Sequence, residues 1–304
     1  MESVWTSFGF RALWTPELLV GIVILAILYG WLIHIEKKRV AVDKHTKLRH
    51  KLYFGLGLLA LYGGWGSPFY LTGHMIMSIH MLQMVLAYFV AVPLLLLGIP
   101  TWLLEQMSAY LKKKGLQPVI RLIGNPILAL FLFNGLFSFY HVPFMFDSLM
   151  QSPVLHSFYQ YALLFAAVLM WWHMLAPLPS AYRLSDLRRI GYIFANGILI
   201  TPACALIIFA PETMYATYTD PLVWANVMSY CLPAGSEIPM GLFNGPATFN
   251  LLDARMDQQL AGVLMKIMQE IVYGITIGYV FKQWLRKEKQ QEGAVTISDV
   301  PTTH

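Results

Sequence analysis

Seven predominantly apolar stretches recur along this chain, and they constrain its fold more than any other feature. They run near Glu17–Ile35, Leu52–Gly66, Met75–Gly98, Pro126–His141, Val154–Leu175, Ile190–Ala210 and Gln258–Trp284. A helix needs about 20 apolar residues to cross a hydrocarbon layer about 30 Å thick. An open sheet would leave backbone groups unpaired in lipid, so helices are the structure these stretches can adopt there. The expected fold class is all-α, a polytopic integral membrane protein of seven transmembrane helices, the second and fourth being short. Composition agrees, since 57% of the 304 residues are hydrophobic and 12% charged, against about 25% charged in a soluble domain.

Direction follows from the basic residues. Lys37, Lys38, Arg39, Lys44, Lys47, Arg49 and Lys51 follow the first stretch. Lys112, Lys113, Lys114 and Arg121 follow the third, and Arg183, Arg188 and Arg189 the fifth. Lys282, Arg286, Lys287 and Lys289 stand at the end of the seventh. Eighteen of the 21 Lys and Arg therefore share one side, which the positive-inside rule makes cytoplasmic. The N-terminus is then expected outside and the C-terminus inside. Residues 1–285 read as one seven-helix membrane domain and 286–304 as a short polar cytoplasmic tail. The start of the chain lacks the basic n-region of a signal peptide, and the topology suits a multi-pass protein of a bacterial plasma membrane.

Several function classes are excluded. The net charge of +5 is confined to short runs between apolar stretches, which is a membrane pattern and points to no nucleic-acid partner. There is no P-loop, GxSxG elbow, HExxH or dinucleotide fingerprint. Cys204 and Cys231 fit no zinc or CxxC spacing. The long outer segment 211–257 carries a stretch, Leu222–Leu232, too short to span, which reads as an interfacial helix or re-entrant turn.

The nine histidines sort by topology. His74, His80, His141 and His156 fall at or near the outer ends of the third, fourth and fifth stretches, where four imidazoles can converge. On a continuous helix at about 100° per residue, His74, Met77, His80, Met81 and Met84 occupy a sector of about 120°, and Met75 points elsewhere. Imidazole and thioether ligands together favour Cu(I) over hard cations. The same spacing suits a hydrogen-bonded structural histidine cluster, with methionines filling gaps in an apolar core. Asp257 opens the seventh stretch and is placed to cap it. Lys266 and Glu270, four apart, can pair on one helix face or serve a proton path. Pro93 and Pro202 lie inside helices and are expected to kink them.

These residues carry a resemblance. Ser67-Pro68, His74, His80-Met81-Leu82-Gln83, Pro93 to Pro100, His141-Val142-Pro143 with Asp147, His156, Trp171-Trp172 before Pro177, and Asp257 to Gly262 together resemble the CtaG family of cytochrome c oxidase assembly factors. Met84 and Gln160 stand where the family pattern often has histidine. The resemblance implies an assembly factor for a heme–copper oxidase that helps supply or insert copper and performs no turnover chemistry of its own. Oxidase subunits and a copper donor protein would be its partners, with His141 and His156 joining the third helix in holding Cu(I). Two alternatives are a heme- or quinol-handling membrane protein and a metal-free chaperone for an oxidase subunit.

Overall fold

A computed structural model describes residues 8–39, 45–116, 118, 124–178, 183–230, 246–249 and 252–292. All regular structure among them is helical. Lys44, Arg121, Cys231 and the tail from 293 to 304 lie outside the described residues. In chain order the helices are α1 (Phe10–Trp14), α2 (Pro16–Arg39), α3 (Leu48–Trp65), α4 (Pro68–Gly73), α5 (Met77–Met84), α6 (Val92–Gly98), α7 (Thr101–Lys113), α8 (Pro126–Tyr140), α9 (Pro143–Met150), α10 (Pro153–Leu175), α11 (Asp186–Phe209), α12 (Pro221–Ser229) and α13 (Ala254–Glu292).

Five helical segments are long and apolar enough to cross a membrane: Pro16–Glu36, Met77–Gly98, Pro153–Leu175, Asp186–Phe209 and Ala254–Gln290. A sixth arises if α8 and α9, bent by 79° about His141-Val142, count as one span. The expected second span corresponds to α3, whose first turn is occupied by the polar Arg49, His50 and Lys51.

The Met77–Gly98 span is the axis of the bundle. Its most apolar window is 67% buried, against 11% for the peripheral α2. It packs on α3, α10 and α13. Gly64 lets α3 approach closely, for a Cβ there would sit 2.9 Å from the Gln83 carbonyl oxygen. Small residues at such contacts are how helices pack tightly in lipid.

Pro93 sits where the span changes from π- to α-helix. The turns before it, Val85–Ala91, widen to a π-helix, which moves the proline ring away from the carbonyl it would strike in an α-helix. In the π register position 93 would donate to the Tyr88 carbonyl, and proline cannot. The Trp171 indole donates there instead, at 2.8 Å. A π-helix and a tryptophan on another span thus settle one missing N–H.

The basic end is tied by Arg189, which is fully buried. Its guanidinium donates to the Met174 and Leu175 carbonyls at the end of α10, to Asp186, and to Gln283 of α13. Lys287 completes the network on Asp186. Three helices are thereby pinned at one level, at the carbonyls that a helix C-terminus leaves unpaired.

A candidate metal centre beneath an aromatic strap

His74, His80, His141 and His156 do converge, and all four are buried. They reach the cluster from four different places. The expected continuous helix through His74 is not formed: His74 ends α4, and α5 begins at Met77 after a turn at Met75-Ile76. The physical reason is a carboxylate from another span. Asp257 accepts from the Met77 N–H at 2.7 Å and from the Ser78 N–H at 3.4 Å, capping α5. Its own helix is capped by Asp253, which accepts from Arg255 and Met256 N–H. The expected self-cap at Asp257 is therefore corrected to a cap across the bundle.

His80 lies one turn into α5, with no exposed surface. Among the described residues neither of its ring nitrogens has a hydrogen-bond partner. Its ring stacks on Tyr140 at 5.8 Å between centres and lies 6.5 Å from His141. His141 occupies the bend between α8 and α9. Its Nδ1–H donates to the Phe137 carbonyl at 2.8 Å, and its Nε2 has no partner among the described residues. His74 repeats the device, with Nδ1–H donating to the Tyr70 carbonyl at 2.7 Å. A carbonyl can only accept, so both rings hold their proton on Nδ1 and carry the lone pair on Nε2. Burial pushes the pKa of His74 down, against the pull of the Tyr70 carbonyl, so its neutral form is favoured.

His156 differs. Its ring packs edge-on to His74 at 5.6 Å, and its Nε2 lies 3.1 Å from the Tyr140 hydroxyl and 3.3 Å from the Gln160 amide nitrogen. Met77, Met81 and Met84 are all buried in the main core with His80's helix face. Met75 lies in a separate cluster with Leu71, Trp224 and Met228, sent there by the turn at Met75-Ile76 and not by helical spacing. Cys204 is a free buried thiol in the main core. Lys266 and Glu270 pair at 2.6 Å, the lysine also donating to Thr201 and Gln269. Among the described residues no three of His, Cys, Asp and Glu stand close enough together to hold a metal.

A strap from Thr213 to Asp220 closes the cluster. Asp147 of α9 accepts from the Ala216 and Thr217 N–H groups at 3.0 and 2.9 Å and from the Thr217 hydroxyl at 2.7 Å. Tyr215 donates to the His141 carbonyl and Tyr218 to the Gly73 carbonyl, each at 2.8 Å. Burial raises both phenol pKa values, so they remain protonated donors. Phe146 fills the space between, 5.3 Å from the His80 ring, 4.7 Å from Tyr215 and 5.8 Å from Tyr218.

Sequence reasoning missed Tyr140, Phe146, Tyr215 and Tyr218. Tyr140 directly precedes His141, but one aromatic among many in an apolar chain carries no signal by itself. The strap tyrosines are brought to the cluster by Asp147, 69 and 70 residues away in sequence from the N–H groups it binds.

Fold and site together define a helical membrane protein in which buried His80 and His141 present ring nitrogens that no hydrogen bond uses among the described residues. The chain matches the cytochrome c oxidase caa3 assembly factors (Caa3_CtaG) over residues 16–287, most of its length, and it belongs to that family. Neither the curated proteins nor the solved structures compared with it gave a match.

Proposed function

We propose that this protein serves oxidase assembly by holding Cu(I) as cargo between His80 and His141, whose rings lie 6.5 Å apart beside His74, and passing it to an oxidase subunit. The observation that carries the reading is His80, fully buried with both ring nitrogens unpartnered among the described residues. A polar group stripped of water and given no hydrogen bond is costly, and a soft cation can use that lone pair. His141 and His74 are both held as ligating histidines are, with Nδ1–H on a backbone carbonyl, which turns the lone pair to Nε2. Met77, Met81 and Met84 supply thioethers on the helix of His80. His156 is engaged by Tyr140 and Gln160 and acts behind the ligands.

In this reading the seven apolar helices all cross a bacterial plasma membrane, α3 being the second span and α8 with α9 the fourth. The basic loops face the cytoplasm. The cluster then lies towards the outer leaflet, where a copper donor protein and the oxidase subunits would meet it. The protein carries out no turnover chemistry.

The test is an oxygen-free Cu(I) titration of the purified protein against a coloured competing chelator. Wild type should bind, His80→Ala and His141→Ala should lose binding, and His156→Ala should retain most of it. No binding above the detergent blank would remove copper and favour a metal-free chaperone. A visible absorption band in the purified protein would favour heme.

A further inference from the structure

The helix α7 is not part of the histidine site, and its position is unusual. It starts at Thr101, directly after the Met77–Gly98 span turns at Ile99-Pro100. The Gly98 carbonyl accepts from the Tyr29 hydroxyl at 2.8 Å, and Tyr29 stacks on Phe54 at 3.8 Å. A Cβ at Gly98 would lie 2.6 Å from the Phe54 nitrogen, so the end of the span is wedged against Phe54. Phe54 is six residues into α3, about 9 Å at 1.5 Å per residue. Tyr29 is ten residues short of the end of α2, about 15 Å. The chain therefore leaves the bundle well inside the ends of its two neighbours.

At this depth α7 is anchored at its start and bare beyond. Trp102 and Leu104 are buried, and the Trp102 indole donates to the Thr46 hydroxyl, whose other partner is Glu36. Further along, Leu103, Met107, Tyr110 and Leu111 share a sector of about 100°. Met107 is 53% and Tyr110 60% exposed. The opposite side carries Glu105, Gln106, Ser108, Lys112 and Lys113. Lys112, Lys113 and Lys114 close the helix, Lys114 lying 5.8 Å over the Tyr110 ring.

We propose that α7 lies in the plane of the membrane interface, with Met107 and Tyr110 among acyl chains, and that Lys112, Lys113 and Lys114 form a docking surface for anionic phospholipid headgroups. An amphipathic helix with an exposed apolar face lowers its free energy by entering the acyl boundary. Lysines at that boundary attract anionic lipid. The occupant is set by continuity with a span that ends at this level and by charge complementarity.

Two measurements on the full chain test this. In nanodiscs, spin labels at Met107→Cys and Glu105→Cys, in a Cys204→Ser, Cys231→Ser background, are compared for relaxation by oxygen and by a nickel chelate. The label at 107 should respond mainly to oxygen and that at 105 mainly to nickel. Equal nickel response at both places α7 in water and overturns the interfacial placement. Native mass spectrometry of delipidated protein titrated with phosphatidylglycerol or phosphatidylcholine then reads the headgroup preference. Wild type should prefer the anionic lipid, and Lys112→Gln, Lys113→Gln, Lys114→Gln combined should weaken that preference about tenfold or more. An unchanged preference in the triple variant overturns the lysine docking surface.

Discussion

The Asp257 carboxylate accepts the Met77 backbone N–H at 2.7 Å, joining the first turn of the last span to the first turn of the central one across 180 residues. This contact decides where α5 begins, and so the depth and direction from which His80 enters the cluster. Asp257→Ala leaves buried N–H groups unpaired, which costs about 1–3 kcal/mol. Its melting temperature in detergent should drop clearly. Asp253→Ala, the loss of an exposed cap, costs about 1 kcal/mol and should lower it less. Equal melting of Asp257→Ala and wild type would rule out the cap as an element of stability.

Asp147 holds the strap by three hydrogen bonds. Each charge-assisted bond is worth about 1.5–3 kcal/mol. Asp147→Ala should therefore raise amide hydrogen exchange at Ala216 and Thr217 by at least about tenfold, while α11 retains its protection. Unaltered exchange on the strap would mean that Tyr215 and Tyr218 hold it without the carboxylate.

Trp171→Phe keeps the aromatic packing and removes the indole N–H that serves the Tyr88 carbonyl. The unpaired carbonyl costs about 1–3 kcal/mol, and thermal unfolding should report a loss in that range. A variant with Phe at 171 and a wild-type melting point would show that the π-helix satisfies itself.

His74 gives a pH dependence of known sign. Burial holds its pKa below the ordinary 6.5, while the unfolded chain titrates there. Below that value the unfolded state binds the extra proton and the folded state resists it. The contribution to stability is complete above about pH 6.5 and declines as pH falls towards the folded pKa. His74→Gln should melt with a smaller difference between pH 7.5 and 5.5 than wild type. Parallel losses in both proteins would assign the acid sensitivity elsewhere.

Much of this molecule was legible in its residues. The apolar runs specify helices because lipid offers no other partner for the backbone, and each run corresponds to a helix of the structure. The Lys266–Glu270 pair was readable from helical spacing alone. Such features depend on neighbours three or four residues apart, and local geometry determines them.

The site itself needed the tertiary structure. Whether His74 continues the third helix depended on a carboxylate 180 residues away. Which imidazoles keep free nitrogens depended on Tyr140 and Gln160 reaching His156 and on no polar group among the described residues bonding to His80. What covers the cluster depended on Asp147 drawing in the strap. Periodicity determines which face of a helix is apolar, because that is a property of one segment. Hydrogen bonds between spans follow from how the helices pack, and no single segment encodes them.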